Sequence, residues 1–155
     1  MARTILLLAL LSLAGACRSA AVAVPSPVEA EAIAALRAIP RTLAQEGPLG
    51  WLRHFDPGAG FRMASDGALK FDGFAQARAA MEAFDPTIAS MELVWSDLRV
   101  DALAGDLASF GAGYDELLVD TSGVETRFSG YVTGLLRRTG AGWRITSLHW
   151  SLPVH

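Results

Sequence analysis

An α+β domain, helices first and an antiparallel sheet after them, is the fold class predicted by this 155-residue chain. Three observations lead there. Ala32, Ala35, Leu36, Ile39 and Leu43 recur at helical spacing near the start. Past residue 87 the chain becomes four long runs with strand character, broken only by short Gly-, Asp- and Ser-containing turns. No segment between those runs is long enough for a crossover helix, so neighbouring strands must be antiparallel. The length fits one domain. With 52% hydrophobic and 19% charged residues, the chain has enough apolar side chains for a packed core. A net charge of −3 without a basic stripe argues against a nucleic-acid partner. A single cysteine excludes an internal disulfide framework and a multi-cysteine metal site.

Residues 1–17 are expected to be an export signal. Arg3 precedes the apolar run Ile5–Leu13, the small residues Ala14-Gly15-Ala16 follow, and Cys17 comes next. The run is about half the ~20 residues that a membrane-spanning helix needs. Ala14-Gly15-Ala16 satisfies the rule for ordinary signal-peptide cleavage, while the same stretch ending in Cys17 resembles a bacterial lipobox. By that resemblance Cys17 would be lipidated and would be the only attachment to a membrane. Both routes place the protein outside the cytoplasm, in the periplasm or at the cell surface. Residues 18–25 read as a tether and 26–155 as the domain.

The elements follow in order. Ser26-Pro27-Val28-Glu29 is a capping box with proline at the first helical position, so a helix starts there. Pro40 marks a kink or a helix–helix junction, and Gly47-Pro48 ends the element. A short second helix is expected over Leu49–Phe55, closed by Asp56-Pro57-Gly58. Phe61–Ala64 and Ala68–Phe71 flank Ser65-Asp66-Gly67 as a hairpin. Asp72 is expected to cap a third helix with Phe74, Ala77, Met81 and Phe84 on its apolar face. Strands are expected over Met91–Asp101, Leu107–Val119, Val124–Arg138 and Trp143–Leu152. Strands this long should make the sheet curl.

Several stretches carry a family resemblance: Trp95-Ser96-Asp97-Leu98-Arg99-Val100, Asp106-Leu107-Ala108, Asp120-Thr121-Ser122-Gly123, and above all Gly142-Trp143-Arg144-Ile145 with His149-Trp150-Ser151-Leu152-Pro153. With these residues the chain resembles the SnoaL-like domains of the nuclear transport factor 2-like superfamily. The resemblance implies a cone, three N-terminal helices packed on a strongly curved antiparallel sheet, with a pocket in the open end. It also implies a homodimer. Relatives of this kind include steroid isomerases, polyketide cyclases and dehydratases, and members that only bind ligands or dimerise.

Strict alternation along the last strand puts Trp143, Ile145, Ser147, His149 and Ser151 on one face, expected to be the concave one. His149 is then the first candidate for acid–base work. It could equally anchor the strand through a hydrogen bond or touch a ligand. The isomerases and cyclases that the chain resembles use a pocket aspartate, but Asp56, Asp72, Asp85, Asp101, Asp106 and Asp120 all sit at caps or turns. Asp97 is mid-strand and would couple with His149 if the two faced each other. Glu116 lies late in the next strand and matches no family position. All aromatic residues lie after residue 50. Trp51, Phe55, Phe61, Phe84, Trp95, Phe110, Tyr114, Tyr131 and Trp143 could line a cavity for a flat apolar ligand, or could simply pack the core. The expected ligand set is Trp51, Phe55, Phe61, Trp95, Tyr114, Tyr131, Trp143, Ser147, His149 and Ser151.

No phosphate loop, zinc-protease motif, nucleophile elbow or dinucleotide fingerprint occurs. His54, His149 and His155 are far apart in sequence, so neither metal nor cofactor is expected. Three functions remain: a non-catalytic binder of a small apolar molecule, an isomerase, cyclase or hydratase using His149, and a dimeric protein-interaction module. A buried cavity separates the third from the others, and a polar partner for His149 separates the second from the first.

Overall fold

A computed structural model describes residues 24–58 and 60–153. The segment expected to direct export, Cys17 and most of the expected tether lie outside the described residues, as does His155. Among the described residues no helix is long and apolar enough to cross a membrane.

Helix α1 spans Pro27–Glu46 and starts at the capping box read from the sequence. The Ser26 hydroxyl accepts from the Glu29 amide, and the Glu29 carboxylate accepts from the Ser26 amide. The other Glu29 oxygen accepts from the Ala102 amide, tying the helix start to the sheet. Ala32, Leu36, Ile39 and Leu43 are buried, as the helical spacing predicts. Pro40 does not break the helix. Its missing N–H would have bonded the Leu36 carbonyl. The Trp95 indole N–H takes that place at 3.0 Å.

The expected second helix is a 3-10 helix, Gly47–Arg53. Two glycines and a proline in seven residues leave too little helical propensity for an α-helix. Among the described residues there are therefore two α-helices rather than three before the long strands. The hairpin forms as β1 (Arg62–Ser65) and β2 (Ala68–Asp72), with Asp66 and Gly67 at positive φ in its turn. Helix α2 spans Phe74–Phe84 and is capped by Gly73 at φ 117°, not by Asp72. Asp72 ends β2 instead and pairs with Arg62 at 2.9 Å.

The long strands are β3 (Ile88–Ala104), β4 (Leu107–Asp120), β5 (Glu125–Thr139) and β6 (Gly142–Ser151). The hairpin joins them in one six-stranded sheet of order β2-β1-β6-β5-β4-β3. Every pairing is antiparallel except β1 with β6. The Asp120 side chain holds the β4–β5 turn, accepting from the Ser122 amide and hydroxyl and from the Val124 amide.

Of the irregularities in the sheet's register, two decide which residues face inward. In β3, Asp97 and Leu98 together oppose the single residue Ala112, and Asp97 takes φ 48°. In β6, Thr146 is the extra residue between the pairs Leu136↔Ile145 and Leu135↔Ser147. A bulge bends its strand, strengthens its twist and reverses the facing of every residue beyond it. Inner-facing β3 residues are therefore Met91, Leu93 and Trp95, then Leu98 and Val100. In β6 they are Trp143 and Ile145, then Leu148 and Trp150. The curl is tight where β5 meets β6: a Cβ at Gly130 would stand 2.0 Å from the Ser151 carbonyl oxygen. The core lies between α1 and the concave face, built on Leu36, Ile39, Leu43, Phe110, Val132, Leu136 and Ile145.

Candidate functional site

Strand β4 carries no extra residue against β5, so its alternation is uninterrupted from Leu107 to Val119. Ala108, Phe110, Ala112, Tyr114 and Leu118 face inward and are buried. Glu116 belongs to the same phase and is carried to the concave side with them. There it borders a cavity of about 280 Å³ enclosed by the 3-10 helix, α2, the hairpin and the ends of β3 to β6. Trp51, Phe55, Met63, Met81, Met91, Tyr114, Leu148 and Trp150 form its apolar wall. Phe84, Phe128 and Leu152, each more than a third exposed, form the rim with Ser65 and Asp66. All three methionines of the described residues line this one space.

Three aromatic rings meet nearly at right angles. Trp150 stands edge-on to Trp51 with centroids 5.8 Å apart, and edge-on to Tyr114 at 4.5 Å. Phe55 stacks on Trp51 at 5.5 Å. Such contacts hold the rings in place beyond what their burial alone provides.

The polar groups of the cavity are few and differ in character. Burial pushes the Glu116 carboxyl up to about 7, with no hydrogen bond or neighbouring charge offsetting it. Asp66 goes the other way. Its Oδ1 accepts from the Leu152 amide at 3.0 Å and its Oδ2 from the Ser65 hydroxyl at 2.8 Å. These bonds, with smaller help from Lys70 and His149, hold its carboxyl below the usual range. The Tyr114 phenol is raised by burial and then by Glu116 and Asp66. One carboxyl raised to about 7 and one held below the usual range thus share a single apolar space.

Among the sequence-predicted ligand residues, Trp51, Phe55 and Tyr114 line the cavity. Phe61 is fully buried behind it, stacked on Phe55 at 4.4 Å. Trp95 stacks on Trp150 at 6.1 Å and spends its N–H on Leu36, one layer back from the cavity wall. Trp143 sits elsewhere, donating to Glu31 beside Arg138. Ser147, His149, Ser151 and Tyr131 do not reach the cavity. The Thr146 bulge turns the first three to the outer face of the sheet, where His149 and Ser147 line a shallow groove with Tyr131, Arg99 and Asp101. Ser151 donates to the Tyr131 carbonyl. The expectation that His149 points into the pocket is thus corrected.

Asp97 and His149 do not face each other. Asp97 is on β3 and His149 on β6, three strand spacings apart, or roughly 14 Å. Asp97 is the positive-φ residue of its bulge, a backbone position that short polar side chains tolerate. Among the described residues no group of three metal-ligating side chains comes together.

Sequence reasoning named Glu116 without placing it at the site, and missed Asp66, Trp150 and the methionines as a set. Glu116 had a legible signal: in β4 the apolar phase 108, 110, 112, 114, 118 is broken only by that glutamate. The Thr146 bulge had one too, because the apolar phase of β6 slips from 143 and 145 to 148, 150 and 152. Asp66 had none, since its turn chemistry is the same whether or not a cavity lies beside it.

The fold recurs widely among solved structures. An NTF2-like superfamily protein from Salmonella enterica superposes with a TM-score of 0.69 at 15% identity, covering 83% of this chain and 92% of that one. A candidate aromatic ring hydroxylase from Novosphingobium aromaticivorans gives 0.71 at 17% identity, covering 86% and 94%. A candidate scytalone dehydratase from the same organism gives 0.69 at 9% identity, covering 81% and 83%. At these identities the likeness establishes a shared fold. A search of curated proteins finds no match. The SnoaL-like domain family matches residues 56–155, which take in the hairpin, α2, the long strands and every cavity residue except Pro48, Trp51 and Phe55. The chain belongs to the SnoaL-like domain family.

Proposed function

We propose that this domain binds a small, largely apolar molecule in the cavity between the 3-10 helix, α2 and the sheet. The observation that carries the reading is a half-open space of about 280 Å³, walled by aromatic and methionine side chains and not filled by the core. Clefts of this size and lining are the usual seats of small ligands. Methionine walls adapt to irregular shapes, and the fixed Trp51–Trp150–Tyr114 rings favour a flat one. Native mass spectrometry of protein purified from its own host tests this. A bound small molecule is expected, and it should be lost in Met81→Trp, which fills the space. A wild-type mass equal to that of its polypeptide alone would defeat the reading.

Glu116 and Asp66 favour acid–base catalysis as a second reading. Carboxyls pushed apart in one pocket divide the roles of proton donor and acceptor, and a dehydratase stands among the structural neighbours. On this reading Glu116, not His149, carries the proton. Catalysed exchange of a ligand proton with solvent deuterium, lost in Glu116→Gln and kept in His149→Ala, is the expected signature.

The outer face of the sheet, with exposed Tyr131 between Arg99, Asp101 and His149, supports a homodimer. Analytical ultracentrifugation of the wild type and of Tyr131→Glu tests it. Export and attachment through Cys17 stand on residues 1–17 alone. Mass analysis of the membrane fraction, with and without Cys17→Ser, checks them.

A further inference from the structure

The cavity that we propose as a ligand site has a one-sided charge. Among the described residues it is lined by two carboxyl side chains, Glu116 and Asp66, and by no lysine, arginine or histidine. Lys70 and His149 act on Asp66 from outside it. A ligand bearing a carboxylate or phosphate would bring like charge into a space with no cation to receive it. A neutral hydrocarbon would leave Glu116 buried without a partner, which is unfavourable for any carboxyl.

The walls add an independent requirement. Trp51, Tyr114 and Trp150 all line the cavity, with Trp150 within 3° of perpendicular to each of the other two. Aromatic walls favour a cation over an anion, because a cation gains at a ring face. Tyr114 and Glu116 share one face of β4, so the aromatic wall and the carboxyl adjoin. Asp66 is held at the rim by the Leu152 amide and the Ser65 hydroxyl, and its charge lies where a ligand enters.

We propose that the cavity is selective for organic cations: a compact apolar molecule carrying one amine, its ammonium set beside Glu116 against the aromatic wall of Trp51, Tyr114 and Trp150, with Asp66 attracting it at the rim. The proposal rests on the small-molecule reading of this cavity. It adds the charge of the ligand, which that reading leaves open.

Isothermal titration calorimetry with three matched probes, naphthylmethylamine, naphthylmethanol and naphthoate, tests it. The amine is expected to bind about tenfold more tightly than the alcohol, and the naphthoate most weakly. Glu116→Gln, which keeps shape and removes charge, should cut the amine's affinity about tenfold and leave the alcohol's unchanged. Asp66→Asn should slow association of the amine without affecting the alcohol. Equal binding of amine and alcohol, or an amine affinity indifferent to both substitutions, overturns the cation selectivity and leaves the apolar-ligand reading standing. Failure of all three probes to bind overturns both.

Discussion

The indole N–H of Trp95 donates to the Leu36 carbonyl at 3.0 Å, the one helical acceptor that Pro40 leaves without its usual donor. A proline inside α1 is thereby tolerated, and the helix is bolted to β3 at the same point. Trp95→Phe should destabilise the domain by about 1–3 kcal/mol, because a buried carbonyl loses its partner. In a Pro40→Ala background the backbone amide restored at that position can take the Leu36 carbonyl, and the cost of Trp95→Phe should shrink to under about 1 kcal/mol. Urea denaturation of the four proteins in this cycle measures the coupling. Additive costs would mean that the indole bond and the proline are unrelated.

Acid stability should depend on two groups with opposite slopes. The His54 Nε2 is buried without a partner, and burial, then Arg144 and Arg53, lower its pKa from 6.5 to about 4. The unfolded chain therefore holds the extra proton between pH 4 and 6.5, and stability from His54 falls as pH drops through that window. Glu116 is raised from 4.5 to about 7, so the folded state holds the extra proton and stability falls as pH rises from 4.5 to 7. The wild type should show a shallow profile between about pH 4.5 and 6.5, where the two slopes offset each other. Glu116→Gln should expose the His54 slope and gain stability at neutral pH, and His54→Phe should expose the opposite slope. Parallel melting-temperature profiles for the wild type and Glu116→Gln would refute this assignment.

The Thr146 bulge decides which side chains see the cavity. Its hydroxyl bonds the Leu135 carbonyl at 3.4 Å, a weak contact, so Thr146→Ala should cost under about 1 kcal/mol. Deleting Thr146 is a different matter. It would shift Leu148 and Trp150 to the outer face and His149 inward, forfeiting about 1.5–3 kcal/mol for each apolar side chain exposed. The deletion should prevent cooperative unfolding, as read by near-ultraviolet circular dichroism. A folded deletion variant with wild-type melting would show that register is not set there.

Two glycines separate backbone clashes from side-chain ones. A Cβ at Gly130 would meet the Ser151 carbonyl oxygen at 2.0 Å, and one at Gly113 would meet the Ser96 hydroxyl at 2.3 Å. A carbonyl in a paired strand cannot move without the strand, whereas a serine side chain can rotate. Gly130→Ala should cost more than about 2 kcal/mol and Gly113→Ala about 1 or less, measured by thermal melts. A reversed order would indicate that the sheet's curl is softer than its geometry suggests.

The sequence by itself determined the capping box of α1, the apolar stripe through Leu43, the hairpin, the antiparallel order of four long strands and the Asp120 turn. Each depends on neighbours a few residues apart, where periodicity and turn chemistry act directly. The family was legible too, in the residues around Trp143 and His149. Tertiary structure decided what faced what. A single extra residue at Thr146 reversed the end of β6, exchanging His149, Ser147 and Ser151 for Leu148 and Trp150 at the inner face. Curling set Glu116 on the same cavity as Trp51 from the 3-10 helix and Met81 from α2, both far from it in sequence. Side-chain facing depends on strand register, and burial on contacts between distant segments. Local pattern does not encode either until the sheet has closed around its helices.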